Sequence, residues 1–222
     1  MRGGKLIKTI IFDMDGVLIN SEPISRKVEK KLYDQYNIPY NEALIESLVG
    51  KRIENYWESI FNHYGIEPIA IKRIAKKHES MYLALKDEVK LMDGVEKWLN
   101  KYKTSGYQIY IASSSHVKII EEMIGKFNIQ KYIDGYVGGN LVKRGKPNPD
   151  IFEKALEISE MKANECIVFE DSANGIQAAT AAGIKCIGFN NKNQHNQDHS
   201  GALLTITEFT DENFEKIRRI YL

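Results

Sequence analysis

An α/β fold is predicted by this sequence: a doubly wound parallel sheet carrying an inserted helical cap. Three observations predict it. Short apolar, β-rich runs recur without polar alternation, helical patterns of ~10 to 15 residues fill the gaps between them, and one long region carries helical patterns only. Strands buried on both faces lose the alternation that a half-exposed strand shows, and both faces are covered when a parallel sheet lies between helices.

The first run, "LIKTIIF", ends at Phe12 and meets Asp13; "YQIYIA" meets Ser113; "CIVF" meets Glu170 and Asp171. "VEKWLNKYKTSG" precedes the second strand, and "HVKIIEEMIGKF" follows it and leads to a further strand in "YIDGYVGG". "PDIFEKALEIS" and "SANGIQAATAAG" read as helices, and "IKCIGF" as another strand. Ligands of such sheets sit beyond the carboxyl ends of the strands, so the polar residues that close the runs converge on one crevice.

From Ser21 to Leu91 no strand is expected. Amphipathic stripes run through Val28, Leu32 and Tyr36, then Trp57, Ile60, Phe61 and Tyr64, then Ile71, Ile74, Met81 and Leu85. They predict a helical cap with a small core of its own over residues 20–91, set into a core formed by residues 1–19 and 92–222.

The bulk numbers narrow the function. With 222 residues and 43% hydrophobic content the chain can fill an ordinary globular core. Lys and Arg number 31 against 30 Asp and Glu, a net charge of +1, which gives no broad electrostatic case for a nucleic-acid or membrane partner. An anion must therefore be held locally. Cys166 and Cys186 lie inside apolar strands and read as reduced core thiols. The apolar run after "MRGGKLIK" stops at Asp13, too short for a secretion signal, so a cytoplasmic protein is expected. In "NNKNQHNQDHS", His195 and His199 read as solvated loop residues rather than metal ligands.

Four strand ends carry chemistry. In "DMDG", Asp13, Asp15 and Gly16 suit a turn, yet two close carboxylates also suit a hard divalent cation. "ASSS", Ser113 to Ser115, offers either a helix cap or hydroxyls at an anion site. Lys146, in "GKPNPDIF", is either a solvated charge or a cation aimed at the same edge by a stiff loop. Glu170 and Asp171 either precede the Ser172 cap or complete an acidic site. The small residues Ala173, Gly175, Ala178 and Ala179 allow their helix to approach the sheet closely.

Taken in order, "DMDGVL", "ASSS", "KPNPDIF" and "FEDSANGIQAA" resemble the four motifs of the haloacid dehalogenase superfamily, in its branch of β-phosphoglucomutase-like enzymes and small phosphosugar phosphatases. The resemblance covers nearly the whole chain and implies a Rossmann-like core with a cap. It further implies that Asp13 attacks phosphorus to form an aspartyl-phosphate, and that Asp15 protonates the leaving oxygen and then activates water. Mg²⁺ is implied on the Asp13 carboxylate, the Asp15 main-chain carbonyl and Asp171, with Glu170 assisting. Ser113, Ser114 with the backbone N–H groups that follow Ser113, and Lys146 are implied to hold the phosphoryl group of a small-molecule phosphoester.

Mutases of this family place a histidine shortly after "DGV", where this chain has Ser25, and "NSEP" resembles the phosphatase members. Hydrolysis is therefore expected, with a sugar phosphomutase as the alternative and His78 as its one substitute histidine. A dehalogenase is disfavoured by Asp15, and a non-catalytic binding protein by the complete set of strand-end groups. Lys51, Arg52 and His78 are the candidates for contact with the leaving group. Asp93, where relatives often carry proline, has no functional reading.

Overall fold

The computed structural model describes residues 7–67, 71–191 and 197–222. Six parallel strands form the central sheet: β1 (Thr9–Phe12), β4 (Gln108–Ser113), β5 (Gly135–Gly138), β6 (Cys166–Glu170), β7 (Lys185–Phe189) and β8 (Leu204–Ile206). Their order is β5-β4-β1-β6-β7-β8. The chain leaves β1 toward β4 and β5, then returns to lay β6, β7 and β8 on the other side. The strand order thus reverses at β1, and such a switch point opens a crevice at the carboxyl edge.

Register brings the chemistry to that edge. Phe12 is level with Ile111 on one side and Phe169 on the other, so Asp13, Ser113 and Glu170 all follow within two residues of one line across the sheet. Alternate strand residues face opposite helix layers. Ile10, Phe12, Ile111 and Phe169 pack with α5 (Val95–Thr104), α6 (Val117–Phe127) and α9 (Asp211–Tyr221). Ile11, Ala112 and Val168 pack with α7 (Asp150–Ser159) and α8 (Ala173–Ala181). Both faces are covered, which is why the runs show no polar alternation.

Among the described residues four α-helices lie between β1 and α5: α1 (Glu22–Gln35), α2 (Glu42–Ser47), α3 (Ile53–Tyr64) and α4 (Ile71–Ala84). Val28, Leu32, Trp57, Ile60, Phe61 and Ile74 of the sequence stripes are buried among them. Their packing is not a separate core, however. It runs without a break through Met14, Val17, Leu18 and Val89 into the α5–α6 face of the sheet.

Strands that were not expected occur in two places. A short antiparallel pair, β2 (Ile19–Asn20) with β3 (Lys90–Leu91), ties the two ends of the helical segment together. Two residues are too few to show a period. Strand β8 is an edge strand with only Ile206 buried, and its pattern is correspondingly weak. Cys166 and Cys186 are buried free thiols, as expected. No helix among the described residues is long and apolar enough to cross a membrane.

Candidate active site

After Phe12 the chain turns tightly. Leu18 and Ile19 N–H groups both donate to the Met14 carbonyl, at 2.9 and 3.0 Å, while Gly16 adopts φ +79° and donates to the Ile19 carbonyl. Positive φ costs glycine little, so the turn reading of "DMDG" is correct locally. The same turn presents both aspartates to a cavity of about 150 Å³ between the sheet edge and the helical segment.

Lys146 organises the buried half of the site. Its Nζ donates to Asp13 Oδ1 and Glu170 Oε1, each at 2.5 Å, and to the Ala112 carbonyl at 3.2 Å. Lys146, Asp13 and Glu170 are 3%, 5% and 0% exposed, so the solvated reading of the lysine does not hold. Burial alone pulls an ammonium's pKa down, but the two carboxylates outweigh that here and raise it. The second Glu170 oxygen accepts from Ser172 N and Oγ at 3.1 and 3.0 Å. Ser172 in turn caps α8, accepting from Gly175 N at 3.0 Å. A Cβ on Gly175 would lie 1.9 Å from Glu170 Oε1, so this glycine makes room for the carboxylate.

The serines do not cap α6, whose first turn is preceded by His116. Ser113 and Ser115 hydroxyls instead donate to one oxygen of Asp15, at 3.2 and 2.8 Å. Ser114 donates to the Gly50 carbonyl at 2.6 Å and so reaches the helical segment. Ser115 carries no separate role in the sequence reading, although its place two residues after Ser113 is visible there.

Burial raises the Asp13 pKa well above its ordinary value, Lys146 opposes the rise, and Glu170 and Asp15 add to it. Asp171, also buried, is raised by burial and by Glu170 and Asp13. Three buried carboxyl groups thus gather here, and Lys146 donates to two of them, Asp13 and Glu170. Such an excess of hard oxygen donors suits a divalent cation such as Mg²⁺. No three His, Cys, Asp or Glu side chains among the described residues converge as a ready cluster. Asp13 and Glu170 each turn an oxygen to Lys146. The implied set also counts a main-chain carbonyl, that of Asp15, which side chains alone leave out. The donor chemistry fits the metal.

The three leaving-group candidates separate. Lys51 and His78 line the cavity. Arg52 does not, which corrects its expected role: its guanidinium donates to the Gly139, Val142 and Lys143 carbonyls at 3.2, 3.0 and 3.3 Å, fastening α3 to the loop after β5. Glu22, Arg26 and Glu29 of α1 also line the cavity. Sequence reasoning missed them, although their i, i+4, i+7 spacing puts them on one helix face. His199 is not a solvated loop residue; its Nε2 lies 2.7 Å from the Asp171 carbonyl. His195 falls outside the described residues.

A sequence model of the haloacid dehalogenase-like hydrolases matches residues 10–189. A phosphorylated carbohydrates phosphatase of Thermotoga maritima is 29% identical over 82% of this chain and 84% of its own. A fructose-1-phosphate phosphatase of Escherichia coli is 30% identical over 80% of this chain and 94% of its own. The crystal structure of a β-phosphoglucomutase from Clostridium difficile superposes with a TM-score of 0.85 at 24% identity, covering 97% of each chain, a likeness of fold. This chain belongs to the haloacid dehalogenase-like hydrolase family. Within that family it is a phosphoric monoester hydrolase.

Proposed function

We propose that this chain is a Mg²⁺-dependent phosphatase that hydrolyses a small phosphorylated metabolite, a sugar phosphate, through an aspartyl-phosphate on Asp13. The observation that carries the reading is the Lys146 ammonium fixed between Glu170 and Asp13, the latter lining the cavity. An anionic carboxylate approaches an anionic phosphoryl group only where cations offset the repulsion, and phosphoryl transfer asks mainly for such positioning.

Asp13 attacks phosphorus, and the ester P–O bond breaks as Asp15 gives its proton to the leaving alcohol. Asp15 then takes a proton from the water that attacks the phosphoaspartate, releasing inorganic phosphate and restoring Asp13. The Ser113 and Ser115 hydroxyls orient Asp15, Glu170 positions Lys146, and Ser113, the Ser114 backbone and Lys146 hold phosphoryl oxygens. The Asp13 carboxylate, the Asp15 main-chain carbonyl and Asp171 would hold Mg²⁺, with Glu170 assisting. Bound there, the ion supplies charge neutralisation. Residues 20–91 act as the cap over a core of residues 1–19 and 92–222.

Hydrolysis is favoured over a mutase because Ser25 lines the cavity where family mutases carry histidine. His78 lines it too, but burial lowers its pKa to about 4 and keeps it neutral. Phosphate release from an aryl phosphate with Mg²⁺ tests the reading. Asp13→Asn should lower kcat by more than about 10³-fold, since the nucleophile is lost. Robust turnover by that variant overturns the covalent route, and sugar-phosphate isomerisation without free phosphate overturns hydrolysis.

A further inference from the structure

The joint between β6 and α8 carries Asp171, and backbone pairing ends just before it. Phe169 is the last residue of β6 level with β1, and Glu170 is the last level with β7, where it faces Gly188. On the other side, the Ile176 N–H donates to the Ser172 carbonyl, which opens the helical ladder of α8. Asp171 stands between these two frames, 3% exposed and lining the cavity. Its direction therefore depends on what holds the main chain there.

Two side chains from the stretch 197–200, ahead of β8, do so. His199 Nε2 lies 2.7 Å from the Asp171 carbonyl, and because a carbonyl only accepts, the ring donates. Gln197 Oε1 accepts from the Ala173 N–H at 3.1 Å, one of the donors that a helix start leaves open. The peptide groups on both sides of Ser172 are thus held from one short stretch, while Ser172 itself is held by Glu170.

The stretch is well placed to hold them. Gln197 and His199 are half-buried, while Asp198 and Ser200 between and beyond them are exposed. The Ser200 N–H donates to Asp198 Oδ1 at 2.8 Å, and the Leu203 N–H donates to the Cys186 carbonyl of β7 at 2.9 Å. A Cβ on Gly188 would lie 3.2 Å from Ala202 Cβ and 3.4 Å from His199 Cβ, so glycine lets the stretch lie close over β7. Gln197 Nε2 also donates to the Glu46 carbonyl of α2 at 3.0 Å, which rests the helical segment on the same side chain. Groups that hold a metal ligand from behind set its orientation, and losing one typically costs about 10- to 100-fold in metal affinity.

We propose that His199 and Gln197 are positioning residues for Asp171: by holding the main chain on either side of Ser172 they aim the Asp171 carboxylate into the cavity as a Mg²⁺ ligand. The proposal rests on the metal role given to Asp171 above.

The test is titration calorimetry of Mg²⁺ into the purified chain without substrate, beside the Mg²⁺ dependence of phosphate release from an aryl phosphate. His199→Leu removes the donor and should weaken Mg²⁺ binding by roughly tenfold, raising the Mg²⁺ concentration for half-maximal rate by a similar factor. His199→Gln keeps an N–H donor at similar reach and should recover most of the affinity. Where His199→Leu does not fold, Gln197→Met, which loses the Ala173 contact at nearly the same length, should show the same weakening. A folded His199→Leu or Gln197→Met that melts earlier yet binds Mg²⁺ as the wild type does makes the stretch a structural tie only and overturns the proposal. Equal losses in His199→Leu and His199→Gln overturn the hydrogen bond as their cause, and the proposal with it. Phosphate release by a wild-type chain that binds no Mg²⁺ overturns the metal role of Asp171, and this proposal falls with it.

Discussion

The two walls of the cavity are built on different terms. The sheet wall presents Asp13 and Asp171, which follow strand ends where parallel pairing fixes the backbone, and unlike charges are held out of water behind it: Lys146, from the loop after β5, and its partners Asp13 and Glu170 are all nearly inaccessible. The helical wall takes its groups from helix faces, and its ion pair is looser, with Arg26 partly open to solvent and 3.4 to 3.7 Å from its carboxyl partners. Low dielectric strengthens the first set and makes each member costly to lose, while solvent weakens the second. On the proposed function, the sheet wall is the place for chemistry, and the helical wall the place where recognition can change without unmaking the fold.

That contrast is broken most directly at Lys146. Lys146→Met leaves Asp13 and Glu170 buried together without their cation, and should cost about 3–5 kcal/mol of stability together with the activity. Thermal or urea unfolding measures the first and phosphate release the second; a stable variant would show that the sheet wall does not depend on the pair. Next in size is Gly175→Ala, whose Cβ would meet the Glu170 carboxylate. It should destabilise by roughly 1–3 kcal/mol and disturb the Lys146 contact, seen as a lower melting temperature and a fall in kcat.

The smallest effect belongs to the helical wall. Burial pushes the Glu29 pKa up, from 4.5 to about 8, with Arg26 opposing. A carboxyl raised in the folded state contributes stability that is fully present below the unfolded value near 4.5 and lost as pH rises through about 8. Glu29→Gln removes that dependence. Melting curves from pH 5 to 9 should show the variant gaining on the wild type as pH rises, and parallel curves would place Glu29 in an ordinary ionised state.

Legibility in the sequence followed the same division. Asp13, Ser113, Lys146, Glu170 and Asp171 stand at ends of unalternating apolar runs or in the loop leading out of one, and in a parallel sheet such positions border the ligand crevice. Ser115 was less visible because its role depends on Asp15 turning toward β4. Arg52 and Lys51 are adjacent charges in one loop, and sequence has no means of separating them. Only the course of the chain from Gly50 into α3 sends one toward the cavity and the other to the carbonyls after β5. The β2–β3 pair and β8 escaped because short or edge strands have too little buried pattern to register.

By itself the sequence determined the layered α/β architecture, the helical segment within it and the polar groups at the strand ends, because periodicity and strand termini are local properties that need no partner to be read. Tertiary structure alone decided that Lys146 bridges Asp13 and Glu170, that the helical segment shares one apolar core with the sheet, and that Arg26 is already held by Glu22 and Glu29. The first two join residues from distant parts of the chain. The third needs the helix to be docked before its polar face becomes the wall of a cavity.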